Sequence, residues 1–505
     1  MWNAIWIRDY TPWNSESFVA GPLCWGLFNA LLAVSLAQIT KNSNEELLEQ
    51  ALQMISLLTS AAVPIMTLTF SLTVLSVQLA TQLYSARLLD VFIKDPVSKM
   101  VISVNVGALS YCYTLFFYLY DNENIPFVAI YGITVQMVGV LGSFINFIHF
   151  FMVGFRLESI MERASNSALS AADRLGRLRY MDATVTQLPD VPPNAYVVTS
   201  DTSGYVKVFR FECILQQAEA MDVCVRYMYQ IGEYVNRGTT LCYVWDAKSR
   251  KETNGTTLER RILSTLSNHP SSHHDTKDRM IEQTLGLFAI QGVCITKQRE
   301  GDFDVTLGIQ QLADIAMKAL SPGINDPTTA IQCMDTLTGV LASIAREDLA
   351  TPWAVDADGV VRLCAPQRSF AYLLSILDGI RLYGGNDLAV CRRGLRLFGD
   401  LAVILARSPH VERIPTALAQ LEQWMVVARR NFAADGPELN SLNDLRNYLL
   451  RSVALCDNVK IRDGETLRDL QEFETTFQEE TEERVSNATI VSEFLQTAFF
   501  SSSGE

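Results

Sequence analysis

Residues 54–83 read MISLLTSAAVPIMTLTFSLTVLSVQLATQL, a run without a single Asp, Glu, Lys or Arg. An α-helix needs about 20 predominantly apolar residues to cross the hydrocarbon core of a bilayer, which is about 30 Å thick. Three further stretches meet this requirement, at residues 18–39, 97–120 and 126–155. The sequence therefore predicts about four transmembrane helices in the first third of the chain.

The composition of the 505 residues agrees with a membrane part followed by a soluble part. Hydrophobic residues make up 49% and charged residues 19%, and the apolar excess lies before residue 156. The net charge of −14 leaves no basic surface to hold a nucleic-acid backbone. The ten cysteines are scattered singly and form no CxxC pair, which predicts reduced, buried thiols rather than a metal centre.

The charges between the apolar stretches predict the orientation in the membrane. Lys and Arg are retained on the cytoplasmic side. The first connecting loop has one Lys and the third has no basic residue, whereas the second carries Arg87, Lys94 and Lys99. Five arginines follow the fourth stretch within residues 156–179. We therefore expect an inner (cytoplasmic) membrane protein with both termini in the cytoplasm.

The second span carries a polar stripe. At about 100° per residue, one face of this helix collects hydroxyl and amide side chains, and a small-residue stripe with Thr69 and Thr73 lies opposite. Pro64 predicts a kink. Two interpretations stay open: the stripe packs against another helix, or it lines a water-filled pathway. The polar face comprises Thr67, Ser71, Gln78, Thr81 and Gln82.

The fourth span adds a second polar face. Gln136, Ser143 and Asn146 share it, and His149 lies beside it near the predicted cytoplasmic end. A membrane histidine is either a hydrogen-bonded structural residue or a group that titrates near neutral pH. No fixed charge interrupts the apolar cores, which argues against an ion-coupled transporter.

The segment from Tyr196 to Trp245 has the alternation and the turn glycines of β-strands. GYV, GEYVNRGT and LCYV follow each other in an order that resembles the small barrels that carry biotin or lipoic acid. Residues 212–231 between them contain no Lys to be modified, so we expect a structural barrel or half-barrel close to the membrane, without a cofactor.

A helix–turn–helix is predicted around residues 321–327, SPGINDP. Pro322 and Gly323 end one apolar-striped helix, and Asp326 as N-cap with Pro327 at the first helical position begins the next. This turn is either purely structural or part of a site for a ligand or a partner's helix end. The residues considered for that site are Asp314, Ser321, Pro322, Gly323, Asn325, Asp326, Pro327 and Asp335.

Two charged segments are assigned no site. The loop at residues 267–279 holds His269, His273 and His274 but is rich in Ser, and is interpreted as a mobile loop rather than a metal site. The acidic run at residues 468–484 is typical of a solvated helix face or tail. No nucleophile–base or phosphate-binding motif is present, so we do not expect an enzyme.

These residues resemble a widespread bacterial family of predicted membrane proteins that is catalogued as a domain of unknown function. The resemblance covers most of residues 55–345 and rests on FSLTVLSVQLA, GYV…GEYVNRGT and, most specifically, ALSPGINDP. A stretch that usually resembles RTxxQD in the family stands here as ITKQREGDFD, residues 295–304. The family implies a membrane location and supplies no activity.

The sequence thus predicts an α-helical membrane protein with about four transmembrane helices and a mixed soluble domain, a small β-barrel plus a mainly α-helical region. We expect a self-associating, channel-like pore or, alternatively, a non-conducting scaffold that binds a soluble or membrane partner. The predicted parts are an interfacial segment at 1–16, the membrane domain at 17–155, a connecting helix and linker at 156–190, the barrel at 191–250, the SPGINDP region at 251–350 and a helical C-terminal region at 351–505.

Overall fold

The computed structural model describes residues 20–37, 45–83, 96–121, 127–154, 156–177, 190–193, 195–247, 284–347, 353–355 and 360–456. The predicted interfacial segment, the histidine-containing loop and the acidic run lie outside these residues. The chain divides into two compact units, Met1–Arg163 and Ala164–Glu505.

The first unit consists of long apolar helices. They are α1 (Ala20–Ala37), α2 (Glu45–Leu83), α3 (Pro96–Asp121) and α4 (Phe127–Gly154). Pro64 lies inside α2, as the sequence requires. Helix α3 packs against each of the other three, most extensively against α1, and is the most buried of the candidate spans.

Small residues set how closely these helices approach. A Cβ atom at Gly107 would lie 2.5 Å from Cδ1 of Trp25, so a side chain there would push α1 away from α3. A Cβ atom at Gly132 would lie 2.1 Å from the hydroxyl oxygen of Tyr111. Glycines at such points allow backbone contact, which is the usual basis of helix association in membranes.

Within the part of the chain that the structure describes, three helices are long and apolar enough to cross a membrane, over Leu52–Leu75, Lys99–Leu119 and Tyr131–Phe150. These correspond to the second, third and fourth predicted spans. The first predicted span contains a shorter apolar helix at Gly21–Ala37, because the described helix ends before the apolar stretch does.

The second unit begins with the rest of α5 (Leu157–Arg177), and its described strands form two sheets. The strands are β1 (Tyr196–Thr199), β2 (Gly204–Phe209), β3 (Val223–Tyr227), β4 (Tyr234–Val235), β5 (Thr240–Asp246), β6 (Val293–Thr296), β7 (Trp353–Val355) and β8 (Val361–Cys364). The larger sheet has the order β1-β5-β3-β8-β7 and is antiparallel except where β3 and β8 run parallel. The smaller sheet is antiparallel in the order β4-β2-β6.

The predicted small barrel at 191–250 is not confirmed, because the described sheets do not close into a ring. The described strands form two sheets with free edges, at β1 and β7 in one and at β4 and β6 in the other. The reason is long-range pairing: β2 pairs with β6, and β3 pairs with β8, so strands from outside residues 191–250 take the places where a small ring would close. Strand alternation alone does not reveal such partners.

A shared core joins the two sheets to the helices beside them, α6 (Phe211–Met221) and α7, residues 284–291. Ile214, Val225, Leu241 and Phe288 lie in this core. The hydroxyl of buried Tyr227 donates to the carbonyl of Ala289 at 2.8 Å, so the polar end of the ring is satisfied.

The remaining helices form the C-terminal part. Helices α8 (Val305–Ala319) and α9 (Pro327–Arg346) make the predicted hairpin. Helix α12 (Leu388–Ala406) packs against α9 and against the two helices that follow it, α13 (Ile414–Asn431) and α14 (Pro437–Ala454). The sequence LFGDLAVILA, interpreted as a core helix, lies in α12 with Leu397, Leu401 and Leu405 buried, which confirms that prediction. The helices are α8 (Val305–Ala319), α9 (Pro327–Arg346), α10 (Phe370–Ser375), α11 (Asp378–Gly384), α12 (Leu388–Ala406), α13 (Ile414–Asn431) and α14 (Pro437–Ala454), with a 3-10 turn at Val411–Arg413.

None of the ten cysteines, all of which lie in described segments, forms a disulfide, and seven of them are buried. Cys333 illustrates the consequence: burial, together with the charge of Asp326, raises the pKa of its thiol to about 12. Thiols of this kind stay protonated and pack as small apolar side chains, as predicted.

Candidate functional site: the polar face of the second helix

Helix α2 presents two different faces. Ile55, Leu58, Ala62 and Thr69 are buried against the rest of the first unit, and Thr69 has 0% of its surface exposed. These positions include part of the small-residue stripe predicted opposite the polar one. Close packing within this chain therefore uses the small-residue face.

The polar stripe lies on the outside of the first unit. Thr67, Ser71 and Gln78 are exposed, next to the exposed apolar side chains of Val74 and Leu75. The side chains of Thr81 and Gln82 lie outside what is described. No described helix of the first unit covers Thr67, Ser71 or Gln78.

The threonines of α2 satisfy their hydroxyl groups locally. Thr67 donates to the carbonyl of Val63 at 3.0 Å, and Thr69 and Thr73 donate to the carbonyls four residues before them at 2.8 Å. A hydroxyl bound in this way can face hydrocarbon at low cost. An amide has two N–H donors and a carbonyl acceptor, so Gln78 is the most polar group of the exposed stripe.

The predicted polar face of α4 is divided by the fold. Gln136 is half-buried, and its Nε2 donates to Oδ1 of Asn29 at 2.6 Å; Asn29 is 2% exposed. Ser143 is buried and donates to the carbonyl of Val140. Asn146 and His149 are exposed. The polar face of α4 is therefore part of the bundle interior at Gln136 and Ser143, and part of the outer surface at Asn146 and His149.

Asn29 was missed in the sequence analysis. It is an amide within an otherwise apolar stretch, and a polar residue there is expensive unless it finds a partner inside the bundle. Its Nδ2 also donates to the carbonyl of Trp25 at 2.9 Å. The isolated amide was the available signal, whereas its partner on α4 depends on the packing.

The SPGINDP turn is held by its own hydrogen bonds. The N–H groups of Ile324 and Asn325 donate to the carbonyl of Ser321, and that of Asp326 donates to the carbonyl of Ala319 at 2.8 Å. Asn325 adopts a left-handed backbone with φ of 50°, which asparagine tolerates well. Pro322 and Gly323 are exposed, and a Cβ atom at Gly323 would meet no other atom within 4 Å.

Asp326 caps α9 as predicted, with Pro327 in the first turn. Its carboxylate accepts hydrogen bonds from the N–H and the hydroxyl of Thr329, at 3.1 and 2.6 Å, and these bonds hold the pKa of the carboxyl below its usual value. Asp335 pairs with Arg393 of α12, and Asp314 is half-buried on α8. The contacts of Asp326 and Asp335 thus stabilise the hairpin.

A second polar network lies at the stretch that departs from the family pattern. Arg299 binds three side chains: its Nε lies 2.6 Å from Oδ2 of Asp304, and its two Nη atoms donate to Gln310 and Thr306. Asp304 is 2% exposed and caps α8. Gly232 has a φ of 81°, and a Cβ atom there would lie 2.0 Å from Asp304 Oδ2, so the network fixes this glycine.

Within the described residues, no group of three or more His, Cys, Asp or Glu side chains is arranged to hold a metal ion. The predicted non-metal loop at 267–279 falls outside those residues.

The sequence matches the family described as "Predicted membrane protein (DUF2254)" over residues 15–400. Uncharacterized proteins of Mycobacterium tuberculosis (strain ATCC 25618 / H37Rv) and Mycobacterium bovis are 27% identical over 339 residues, which is 66% of this chain and 60% of each relative. This chain therefore matches less than two thirds of the length of these relatives. No solved structure matches it. The apolar helices and the family match together place this chain in the DUF2254 family of predicted membrane proteins.

Proposed function

We propose that this chain is an oligomeric integral membrane protein of the cytoplasmic membrane, whose subunits meet along the polar face of α2 and enclose an ion-conducting path. The observation that carries this proposal is the exposure of Thr67, Ser71 and Gln78 on a helix long enough to span a bilayer.

The proposed topology has four spans with both termini in the cytoplasm. Helix α1 has 18 residues and is about 27 Å long, within the range that tilting and local thinning of the bilayer accommodate. Its contacts with α3 and the Asn29–Gln136 hydrogen bond support a place inside the same bundle.

Self-association follows from the cost of polar groups in lipid. Hydroxyl and amide groups at a lipid-facing surface are less favourable than apolar groups. Thr67, Ser71 and Gln78 are exposed on the surface of the first unit, and a second copy would bring an identical polar surface to meet them. Homo-oligomers commonly use such self-complementary surfaces.

Conduction is favoured by the chemistry of the stripe. Hydroxyl and amide groups can replace part of the hydration shell of an ion without binding it permanently. Residues 52–75, 100–119 and 131–150 hold no Asp, Glu, Lys or Arg. Ion-coupled transporters depend on such charges in the membrane. The composition of these helices is therefore more consistent with a channel for passive ion flow than with a coupled transporter. No catalytic step is part of the proposal.

A non-conducting scaffold is the second candidate. The observation that favours it is that the hydroxyl of exposed Thr67 already donates to the carbonyl of Val63 in its own helix. Such a hydroxyl fits a tight interface between subunits as well as it fits a pore.

Cross-linking tests the interface. Ser71→Cys is introduced into the full chain with exposed Cys24 replaced by Ser, and Ile145→Cys on α4 serves as a control at a corresponding depth. Both positions are exposed in one chain. We expect oxidation in membranes to give a covalent dimer for Ser71→Cys and much less for Ile145→Cys. Equal yields, or a monomer by native mass spectrometry in nanodiscs, would contradict self-association through α2.

Ion flux separates the two candidates. Purified wild type and Gln78→Leu are reconstituted in liposomes, with Gln78→Asn as the variant that keeps an amide. A path lined by α2 predicts flux in the wild type, a changed rate in Gln78→Leu and a smaller change in Gln78→Asn. If Ser71→Cys cross-links but neither the wild type nor any variant conducts ions, the result would support the non-conducting scaffold and contradict the channel.

A further inference from the structure

A small open pocket lies within the second unit. Apolar side chains from Leu175, Ile231, Phe303 and Leu373 form part of its wall. The polar part consists of Asp304, Thr306, Gln367 and Arg368. Its volume of about 40 Å³ exceeds the roughly 10–15 Å³ that one water molecule needs, so it has room for about three waters or one compact polyatomic ion.

Two buried donors of this pocket have no hydrogen-bond acceptor among the described residues. They are Nε2 of Gln367 and Nε of Arg368. A buried polar group without a partner costs about 1–3 kcal/mol, and more when it is charged. Since both atoms are donors, what they require is an acceptor.

The structure holds these donors in place. They lie between β8 and α10, directly before Ser369, whose hydroxyl accepts from the N–H of Tyr372 and caps α10. The guanidinium of Arg368 stacks over the ring of Tyr372 at 4.3 Å from its centroid. The planar group is thereby oriented before any ligand arrives.

Asp304, the one acid among the described residues that line the pocket, is already neutralised. Oδ2 of Asp304 pairs with Arg299, and Oδ1 accepts from the N–H and the hydroxyl of Thr306 at 3.0 and 2.6 Å. Because Asp304 is paired with Arg299, it does not neutralise Arg368. The positive charge of Arg368 is therefore available to a bound anion.

We propose that this pocket binds the phosphate group of a ligand, through the guanidinium of Arg368 and the amide of Gln367. An arginine fork matches phosphate oxygens in geometry and charge. The phosphate belongs either to a soluble small molecule or to a lipid headgroup.

The test compares arginine variants of the full chain purified in detergent. Arg368→Gln removes the proposed ligand contact, and Arg346→Gln removes the same charge from an exposed site at the end of α9. We expect inorganic phosphate to raise the unfolding temperature of the wild type and of Arg346→Gln, with at least tenfold weaker apparent affinity in Arg368→Gln. Sodium chloride at the same ionic strength controls for screening.

The lipid source is tested in nanodiscs of phosphatidylcholine with or without phosphatidic acid. Stabilisation by phosphatidic acid that depends on Arg368, without an effect of inorganic phosphate, assigns the site to a headgroup. If Arg368→Gln does not fold, as judged by gel filtration and circular dichroism, Gln367→Leu replaces it. Equal responses of all variants, or no response to either probe, would overturn the proposal. Neither readout depends on subunit number or ion flux.

Discussion

The two units expose apolar side chains in different ways. Val138 in the middle of α4 is 67% exposed, and it lies among many exposed apolar residues on α1 to α4. Leu382 on α11 is 80% exposed, but the helices of the second unit mostly bury their apolar faces, as α12 does. We expect such exposure to have opposite meanings in the two units, because three described helices of the first unit are long and apolar enough to cross a membrane, whereas the second unit packs its apolar side chains into a core.

Polar groups show the same contrast. In the first unit, hydroxyls donate to carbonyls of their own helix, and the Asn29 amide meets Gln136 inside the bundle. In the second unit, charged side chains cap helices and cross between elements, as Asp326 and the Arg299–Asp304 pair do. Water tolerates partly satisfied groups at the surface, whereas lipid does not.

The largest expected effect tests the surroundings of the two exposed residues. Val138→Arg should cost about 2.5–3.5 kcal/mol for insertion of α4, measured by glycosylation mapping, because Val138 lies near the middle of a candidate span. Leu382→Arg should change the free energy of unfolding by no more than about 0.5 kcal/mol. Normal insertion of Val138→Arg would mean that this face of α4 meets protein or water rather than lipid.

A smaller effect is expected at the cap of α9. Asp326→Ala should lower the free energy of unfolding by about 1 kcal/mol, because the N–H of Thr329 loses its acceptor. Asp326→Asn keeps a capping side chain and should retain most of that stability. Thermal unfolding by circular dichroism measures both, and equal losses in the two variants would contradict the capping role.

The same cap predicts a pH dependence. Because its pKa is lowered in the folded protein, Asp326 contributes stability above its ordinary value near 3.8 and loses it as the pH falls through the lowered pKa. The stability difference between wild type and Asp326→Ala should therefore be constant near neutral pH and shrink below about pH 4. The difference between Asp326→Asn and Asp326→Ala should not change with pH.

The smallest effect concerns the amide pair in the membrane. A double-mutant cycle of Asn29→Ala and Gln136→Ala should give a coupling energy of about 0.6 kcal/mol, with about 1.7 kcal/mol as the upper range for such pairs. The control cycle pairs Asn29→Ala with Ser143→Ala and should be additive, because Ser143 bonds to its own helix. Unfolding equilibria in bicelles measure both cycles, and additivity of Asn29 with Gln136 would exclude the bond.

Local signals in the sequence were sufficient for several elements. The α8–α9 hairpin was predicted because Pro322, Gly323, Asp326 and Pro327 act on the backbone within one turn of their own position. The buried helix around Leu397 followed from its length and periodicity. The barrel is not confirmed, because β2 and β3 pair with strands about 90 and 140 residues further along the chain, and no local pattern in the sequence predicts that pairing.

The candidate sites divide in the same way. The sequence located the polar stripe of α2, but whether Thr67 or Thr69 faces the neighbouring helices depends on how α2 packs. The pocket at Gln367 and Arg368 had no sequence signal, because its other walls come from residues as distant as Leu175 and Phe303.

By itself, the sequence determined that this protein has long apolar helices, an apolar–polar division of the chain and helix ends at fixed residues, because these depend on hydropathy and local backbone chemistry. Only the tertiary structure decided which face of α2 is buried, which amide meets Gln136 and which strands complete the two sheets. Those choices depend on contacts between residues far apart in the chain, where shape and hydrogen-bond geometry select the partner.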